Sequence, residues 1–313
     1  AVALRRAAPD AAPPAPAADA LVDSTFGTDA NATTKFLFLT HHKTGTNLAI
    51  QLCNLTAQIL SDGKEMCHWC YKALKQNADG SLRCPADDES AHGPYRGTGG
   101  RFTMISTVDS SDLGLMRAWA PDYRAVHMVR DPVKMLVSDY QYNIGLYKKH
   151  SKQLWDATMK RTVFDGSSFE DKLRNVSYAM SHFVDHMCKV REATKGDPHM
   201  IEIDLEFFQS SYDQTTRRLF SFLFGAGHPK MDELVERAAE WDIKREKRLQ
   251  LESYVSNHSE APAAERKVRE MMQAGDETIL ASTSCEGAKK ARPWAGKVRH
   301  PGNSNRSDAE MNH

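Results

Sequence analysis

The chain has 313 residues, and its 41 Lys plus Arg are matched by 41 Asp plus Glu. Such a balance argues against a protein held on nucleic acid mainly by neutralising phosphates. No stretch approaches 18 consecutive apolar residues, so the sequence contains no membrane-spanning helix signal; with 41% hydrophobic residues it has material for one large core.

Residues 1–34 hold many Ala and Pro and few large apolar side chains, the composition of a stem or linker rather than of a packed domain. Residues 35–313 then read as one domain. Phe36–Thr40 is a short apolar run before a Gly-containing turn, the pattern of a buried strand. Residues 46–60 follow with apolar side chains at helical spacing. Residues 61–100 are polar and rich in Gly, Cys and His, which predicts an inserted loop region covering a site. Phe102–Val108 is the next strand, Ser111–Trp119 a short helix, Tyr123–Val129 a third strand and Pro132–Tyr147 a helix, with Pro at a tolerated first-turn position. A long helix is predicted over residues 168–194, a fourth strand over Met200–Leu205, and a helix carrying Leu219, Phe220 and Leu223 on one face. Residues 230–275 read as charged helix, and the tail from Lys289 as loop. Strands alternating with helices predict a three-layer α/β fold around a central, mostly parallel sheet.

The six cysteines are Cys53, Cys67, Cys70, Cys84, Cys188 and Cys285. Cys67, Cys70 and Cys84, with His68 directly after the first, lack a fourth ligand at regular zinc spacing, so disulfides or free thiols are favoured and no metal is expected. Five of ten asparagines, Asn31, Asn54, Asn175, Asn257 and Asn305, open an Asn-x-Ser/Thr sequence, an excess that favours the secretory pathway, where disulfides persist. The chain opens on Ala rather than Met, which fits a type II Golgi protein whose N-terminal anchor has been removed and which meets the membrane only through it.

The chemistry concentrates between the first strand and the first helix, in Thr40-His41-His42-Lys43-Thr44-Gly45-Thr46-Asn47. A turn there aims backbone N–H groups and the positive end of a helix dipole at an anion. Gly45 permits close approach, Thr44 and Thr46 offer hydroxyls, and Lys43 offers a charge. This is a P-loop-like turn but not a Walker loop, because its Lys precedes its only Gly. A second element is Arg130-Asp131-Pro132, after a strand, with Ser138 two helical turns later; an Arg and a hydroxyl converging there suit a second phosphate.

Together these elements resemble the two nucleotide-binding signatures of sulfotransferases that use 3′-phosphoadenosine 5′-phosphosulfate (PAPS). The resemblance implies that Lys43, Thr44, Gly45, Thr46 and Asn47 bind the 5′-phosphosulfate, and that Arg130 and Ser138 hold the 3′-phosphate. The 87 residues between Lys43 and Arg130 suit the family, and Leu205-Glu206-Phe207-Phe208 gives a looser likeness. The implied reaction is transfer of a sulfonate to a hydroxyl or amine of a glycan or small hydroxylated molecule, with no nucleic-acid partner. Lys43 is expected to stabilise the leaving oxygen. Cytosolic members carry a His about 22 residues before the arginine, where this chain has Val108, so the likeness runs to the secretory type. Those members use a Glu after the phosphate loop, which implies Glu65, 22 residues beyond Lys43, as base. Asp109, at a strand end on the same cleft, is the second candidate for the base; of His41 and His42, beside Lys43, one is expected to touch the sulfonate or the acceptor, and His42 is the catalytic candidate. Competing readings are a P-loop kinase or phosphoryl transferase, which needs a Walker Lys-Ser/Thr and acidic metal ligands, and a non-catalytic secreted module that binds an anion through the same turn.

Overall fold

The structure is a computed structural model; it describes residues 34–70, 75–76, 82–83, 100–149, 168–242 and 261–290. Five strands form one sheet, all parallel: β1 (Phe36–Thr40), β2 (His68–Cys70), β5 (Phe102–Ser106), β6 (Arg124–Val129) and β7 (Met200–Asp204), in the order β2-β5-β1-β6-β7. Two short strands, β3 (Lys75–Gln76) and β4 (Leu82–Arg83), pair separately as an antiparallel ribbon. Central β1 and β5 are buried at every residue, as strands covered on both faces must be, which is why Phe36–Leu39 of β1 read as an apolar run without alternation.

One face is covered by α1 (Thr46–Leu60), α6 (Tyr212–Phe224) and α7 (Met231–Ala238). Phe36, Phe38, Phe102 and Met104 meet Leu52, Leu219, Phe220 and Leu234 there. The other face packs Leu37, Leu39, Ile105 and Ala125 against α2 (Ser110–Trp119) and Val190 of α4 (Phe169–Ala193). Beside the sheet, α3 (Pro132–Lys149) and α4 join α8 (Ala261–Gln273), α9 (Glu277–Thr283) and α10 (Cys285–Lys290) in a helical layer, while α5 (Leu205–Ser210) follows β7 directly. The sandwich of helix, parallel sheet and helix is the fold class the alternating pattern predicts.

Strand order fixes where a ligand can bind. From β1 the chain moves to one side, through β2 and β5, and then crosses to the other side for β6 and β7. Connections therefore diverge at the carboxyl end of β1, leaving a crevice at this switch point.

Two disulfides tie the layers, Cys53–Cys67 from α1 to the segment entering β2 and Cys188–Cys285 from α4 to α10. Cys70 is disulfide-bonded as well. Residues 1–33, the sequons at Asn31, Asn257 and Asn305, and most of the 71–99 insertion lie outside the described residues. The charged helical stretch over 230–275 holds two α-helices among its described residues; α7 ends at Ala238 and α8 begins at Ala261. Among the elements that went unread are β2 and α10, too short for a period to show, and α9, where Ser and Thr interrupt the apolar positions.

Candidate active site

The turn that leaves β1 occupies the crevice. Its backbone is unusual for non-glycine residues, since Lys43 has φ 66° and Gly45 φ 100°. Left-handed residues in close succession turn amide N–H groups toward one point. Gly45 is required on two counts. Its φ is disfavoured for L side chains, and a Cβ there would stand 2.8 Å from Leu205 Cδ1 and 2.9 Å from Met128 Cε.

The helix that follows is left open. No side chain caps α1, and its first turn holds no acidic residue, whereas Asp109, Ser168, Asp204 and Asp276 cap α2, α4, α5 and α9. The first amides of any helix lack intrahelical acceptors, so at α1 they and the dipole's positive end are available to an anion from outside.

Within the turn the hydroxyls divide. Thr44 is fully buried; its Oγ1 accepts from the His41 N–H at 2.8 Å and donates to the His41 carbonyl at 3.0 Å. Its hydroxyl therefore closes the turn instead of facing solvent, as the expected ligand role requires. Thr46, half-buried, donates to the same carbonyl at 3.2 Å, and Asn47 is exposed.

Lys43 is 14% exposed and its Nζ lies 3.5 Å from the centroid of the Tyr142 ring. Burial lowers its pKa, the Asp139 carboxylate acts against that, and Arg130 adds to it. A cation held this way gains from an arriving anion. Arg130, at the end of β6, donates from Nη1 to the Lys43 carbonyl at 3.3 Å and from Nε to Glu206 at 3.2 Å. The two signature residues, 87 positions apart, thus meet through a hydrogen bond. Lys134, one turn into α3, adds a second cation 3.6 Å from Glu206, and Ser138 lies a further turn along, half-buried. Glu206 is pushed up from the usual carboxylate range by burial, then by a hydrogen bond with Asp204, against the pull of Arg130 and Lys134.

The candidate bases separate clearly. Glu65 does not reach the site: α1 carries the chain back about 22 Å across the sheet. There Glu65 interacts electrostatically with Lys35, at the entry to β1, and with His68. The spacing was right and the direction wrong, because a helix after a strand returns the chain to the sheet's other edge. Asp109 is at the correct edge, but it caps α2, accepting from Ser111 N at 3.0 Å, and lies 3.1 Å from His186 Nε2. Burial raises its pKa, yet the Ser111 amide and His186 outweigh that and hold it low, which makes it a weak base. His42 remains at the site, its Nε2 2.8 Å from Asp139 Oδ1.

Two groups were missed in sequence. Asp139 stands next to Ser138, and only helix geometry shows that it turns toward His42 and Lys43. His127, in β6, is fully buried, with its Nε2 2.8 Å from His41 Nε2. Burial and, secondarily, Arg191 push its pKa down to about 3, and burial lowers His41 well below the ordinary imidazole value. This neutral pair underlies the turn and anchors its first residue.

A parallel sheet that presents open amides and two cations to one anion at its switch point belongs to the phosphate-binding class of α/β proteins. Within that class the chain belongs to the sulfotransferase family, whose sulfotransferase domain matches residues 33–276. It is thus an enzyme of sulfonate transfer. Among solved structures it is similar to mouse sulfotransferase SULT7A1 complexed with PAP, at 13% identity and TM-score 0.38, over 82% of this chain and 89% of that one. It is also similar to sulfotransferase STF9 from Mycobacterium avium, at 18% identity and TM-score 0.32, over 56% of this chain and 42% of that one. No curated protein matches it in sequence.

Proposed function

We propose that the protein transfers a sulfonate from PAPS to a hydroxyl of a carbohydrate in the lumen of the secretory pathway. The observation that carries the donor assignment is the joining of Lys43, at the mouth of an uncapped helix, to Arg130 from the neighbouring strand. Two anion-binding points so close suit a nucleotide phosphorylated at both ends. The amides of α1, with Lys43 and Thr46, take the 5′-phosphosulfate; Arg130, Lys134 and Ser138 take the 3′-phosphate. Transfer needs charge neutralised on the departing phosphate and a proton removed from the acceptor, and Lys43 supplies the first.

Compartment and acceptor rest on other features. Disulfides at Cys53–Cys67 and Cys188–Cys285 suit an oxidising lumen, as do the five sequons. Phe183 of α4 packs on His42; a flat ring beside the site favours a cyclic acceptor.

Thermal stabilisation separates the donor readings. Adenosine 3′,5′-bisphosphate (PAP) is expected to raise the melting temperature, and ATP with magnesium is not; the reverse result overturns the assignment in favour of a phosphoryl transferase. Labelled PAPS offered with a panel of glycans, phenols and simple alcohols then tests the acceptor. Label appearing only in non-carbohydrate acceptors would refute that part of the proposal.

A further inference from the structure

Sulfonate transfer to a hydroxyl requires a base, and the residue that the family likeness implied, Glu65, sits at the wrong edge of the sheet. The groups at the correct edge can be taken in turn. His41 and His127 are buried and hydrogen-bonded to each other. Asp109 is committed to the α2 cap, and His186 faces it at 3.1 Å. Burial, with the neighbouring His182, also lowers the pKa of His186. His182 is exposed on α4, its ring tilted against that of His186 with centroids 3.9 Å apart, and among the described residues no carboxylate links it to Lys43.

His42 differs from all of these. It precedes Lys43 in the turn, its side chain is 35% exposed, and its ring packs 4.9 Å from that of Phe183. Its Nε2 lies 2.8 Å from Oδ1 of Asp139, a carboxylate only 8% exposed, and the same oxygen stands 3.6 Å from Lys43 Nζ. A carboxylate can only accept, so Nε2 carries the proton and donates it; Nδ1 is then the nitrogen with the lone pair. One buried oxygen thereby sets the tautomer of an accessible imidazole and tethers the lysine beside it.

We infer that His42 is the general base of the transfer and that Asp139 is its positioning residue, holding His42 and Lys43 in one arrangement around the reacting sulfur. The inference rests on the PAPS reading above and adds the proton's path. Nδ1 of His42 takes the proton of the acceptor hydroxyl as the oxygen's electron pair forms the new O–S bond. The bond between sulfur and the bridging phosphate oxygen breaks, and its pair leaves on the phosphate of PAP, next to Lys43. The imidazolium that forms is stabilised by Asp139 and gives its proton to solvent. The sum is ROH plus PAPS giving the sulfate ester, PAP and one proton.

The test uses the wild-type chain with His42→Asn, Asp139→Asn and, as control, His182→Asn. PAP affinity is measured by calorimetry. Turnover is followed as PAP released from PAPS, both with the acceptor found in the panel and with water alone. The expected result is PAP affinity within about threefold of wild type in all variants. His42→Asn loses about 10²–10⁴-fold in kcat, Asp139→Asn loses at least about tenfold, and His182→Asn stays near wild type. Long-range ¹H–¹⁵N spectra of the wild type should show His42 in the Nε2–H form, a signature that Asp139→Asn weakens and that a merely structural role would not produce. Undiminished turnover in His42→Asn, a neutral Nδ1–H form in wild type, or loss of turnover in His182→Asn alone overturns the inference while leaving the donor assignment standing. Absence of PAP binding to wild type overturns the donor assignment and the inference with it. Were Asp139→Asn to fail to fold, His42→Asn and the wild-type tautomer still decide the matter, since His42 is at the surface of the turn.

Discussion

The buried His41–His127 pair makes stability depend on acid in a way that can be worked out. His127 has a folded pKa of about 3, against about 6.5 in an unfolded chain. Between these values the unfolded chain binds a proton that the folded one refuses. Stability is therefore complete above pH 6.5 and falls as the pH drops toward 3, by about 1.4 kcal/mol per unit from this group. From pH 7.5 to pH 5 the loss from His127 is about 2 kcal/mol, and His41, displaced in the same direction, adds to it. The perturbation is His127→Gln, whose amide can reach the position of Nε2 and hydrogen-bond His41 without titrating. Urea unfolding followed by tryptophan fluorescence, with disulfides intact, gives the free energy at both pH values. The variant is expected to start less stable by about 1 kcal/mol, having lost ring volume. Between pH 7.5 and 5 it should then lose about 2 kcal/mol less than wild type. Surface carboxylates titrate alike in both proteins and cancel in that difference. Parallel losses in the two proteins would show that His127 is not the neutral, buried group described, and the reasoning would fail.

Three further outcomes follow from the geometry. Gly45→Ala forces a Cβ against Leu205 and Met128 at positive φ, so it should cost about 1–3 kcal/mol and weaken PAP binding in calorimetry; an unchanged affinity would contradict the close-approach role. Lys43→Ala should lower kcat by about 10²–10³-fold with the fold intact, while Glu65→Gln, at the opposite edge, should leave kcat and PAP affinity within about twofold; steady-state kinetics on both variants exposes any inversion of that order. Replacing both Cys188 and Cys285 by Ala opens a link across 97 residues, and replacing Cys53 and Cys67 opens one across 14; the losses, about 4–5 and about 3 kcal/mol on chain-entropy grounds, can be read from urea midpoints, and the opposite ranking would show that native contacts dominate.

Much of this molecule was legible before any coordinates. The apolar run Phe36–Leu39 marked β1 because a central parallel strand is buried on both faces, β5 and β6 were read as the strands that follow, and α1, bounded by Gly45, begins and ends where its periodicity does. The turn that carries Lys43 and Gly45 and the place of Arg130 at a strand end were readable too, since a strand, a Gly turn and the helix after it are local in sequence. What the tertiary structure alone decided is where residues distant in sequence meet, and which way each side chain faces. A count of residues placed Glu65 at the right separation from Lys43, but the return of α1 carries it to the far edge of the sheet beside Lys35. Thr44 stands in the motif like a ligand, yet its hydroxyl turns inward to close the loop. Conversely, Asp139 lies 97 positions from His42 and His127 lies 86 from His41, and nothing in the linear spacing of a carboxylate or an imidazole announces such a pair. Periodicity reports burial along one element, whereas a proton's path depends on contacts between elements, and those exist only once the sheet has set its strand order.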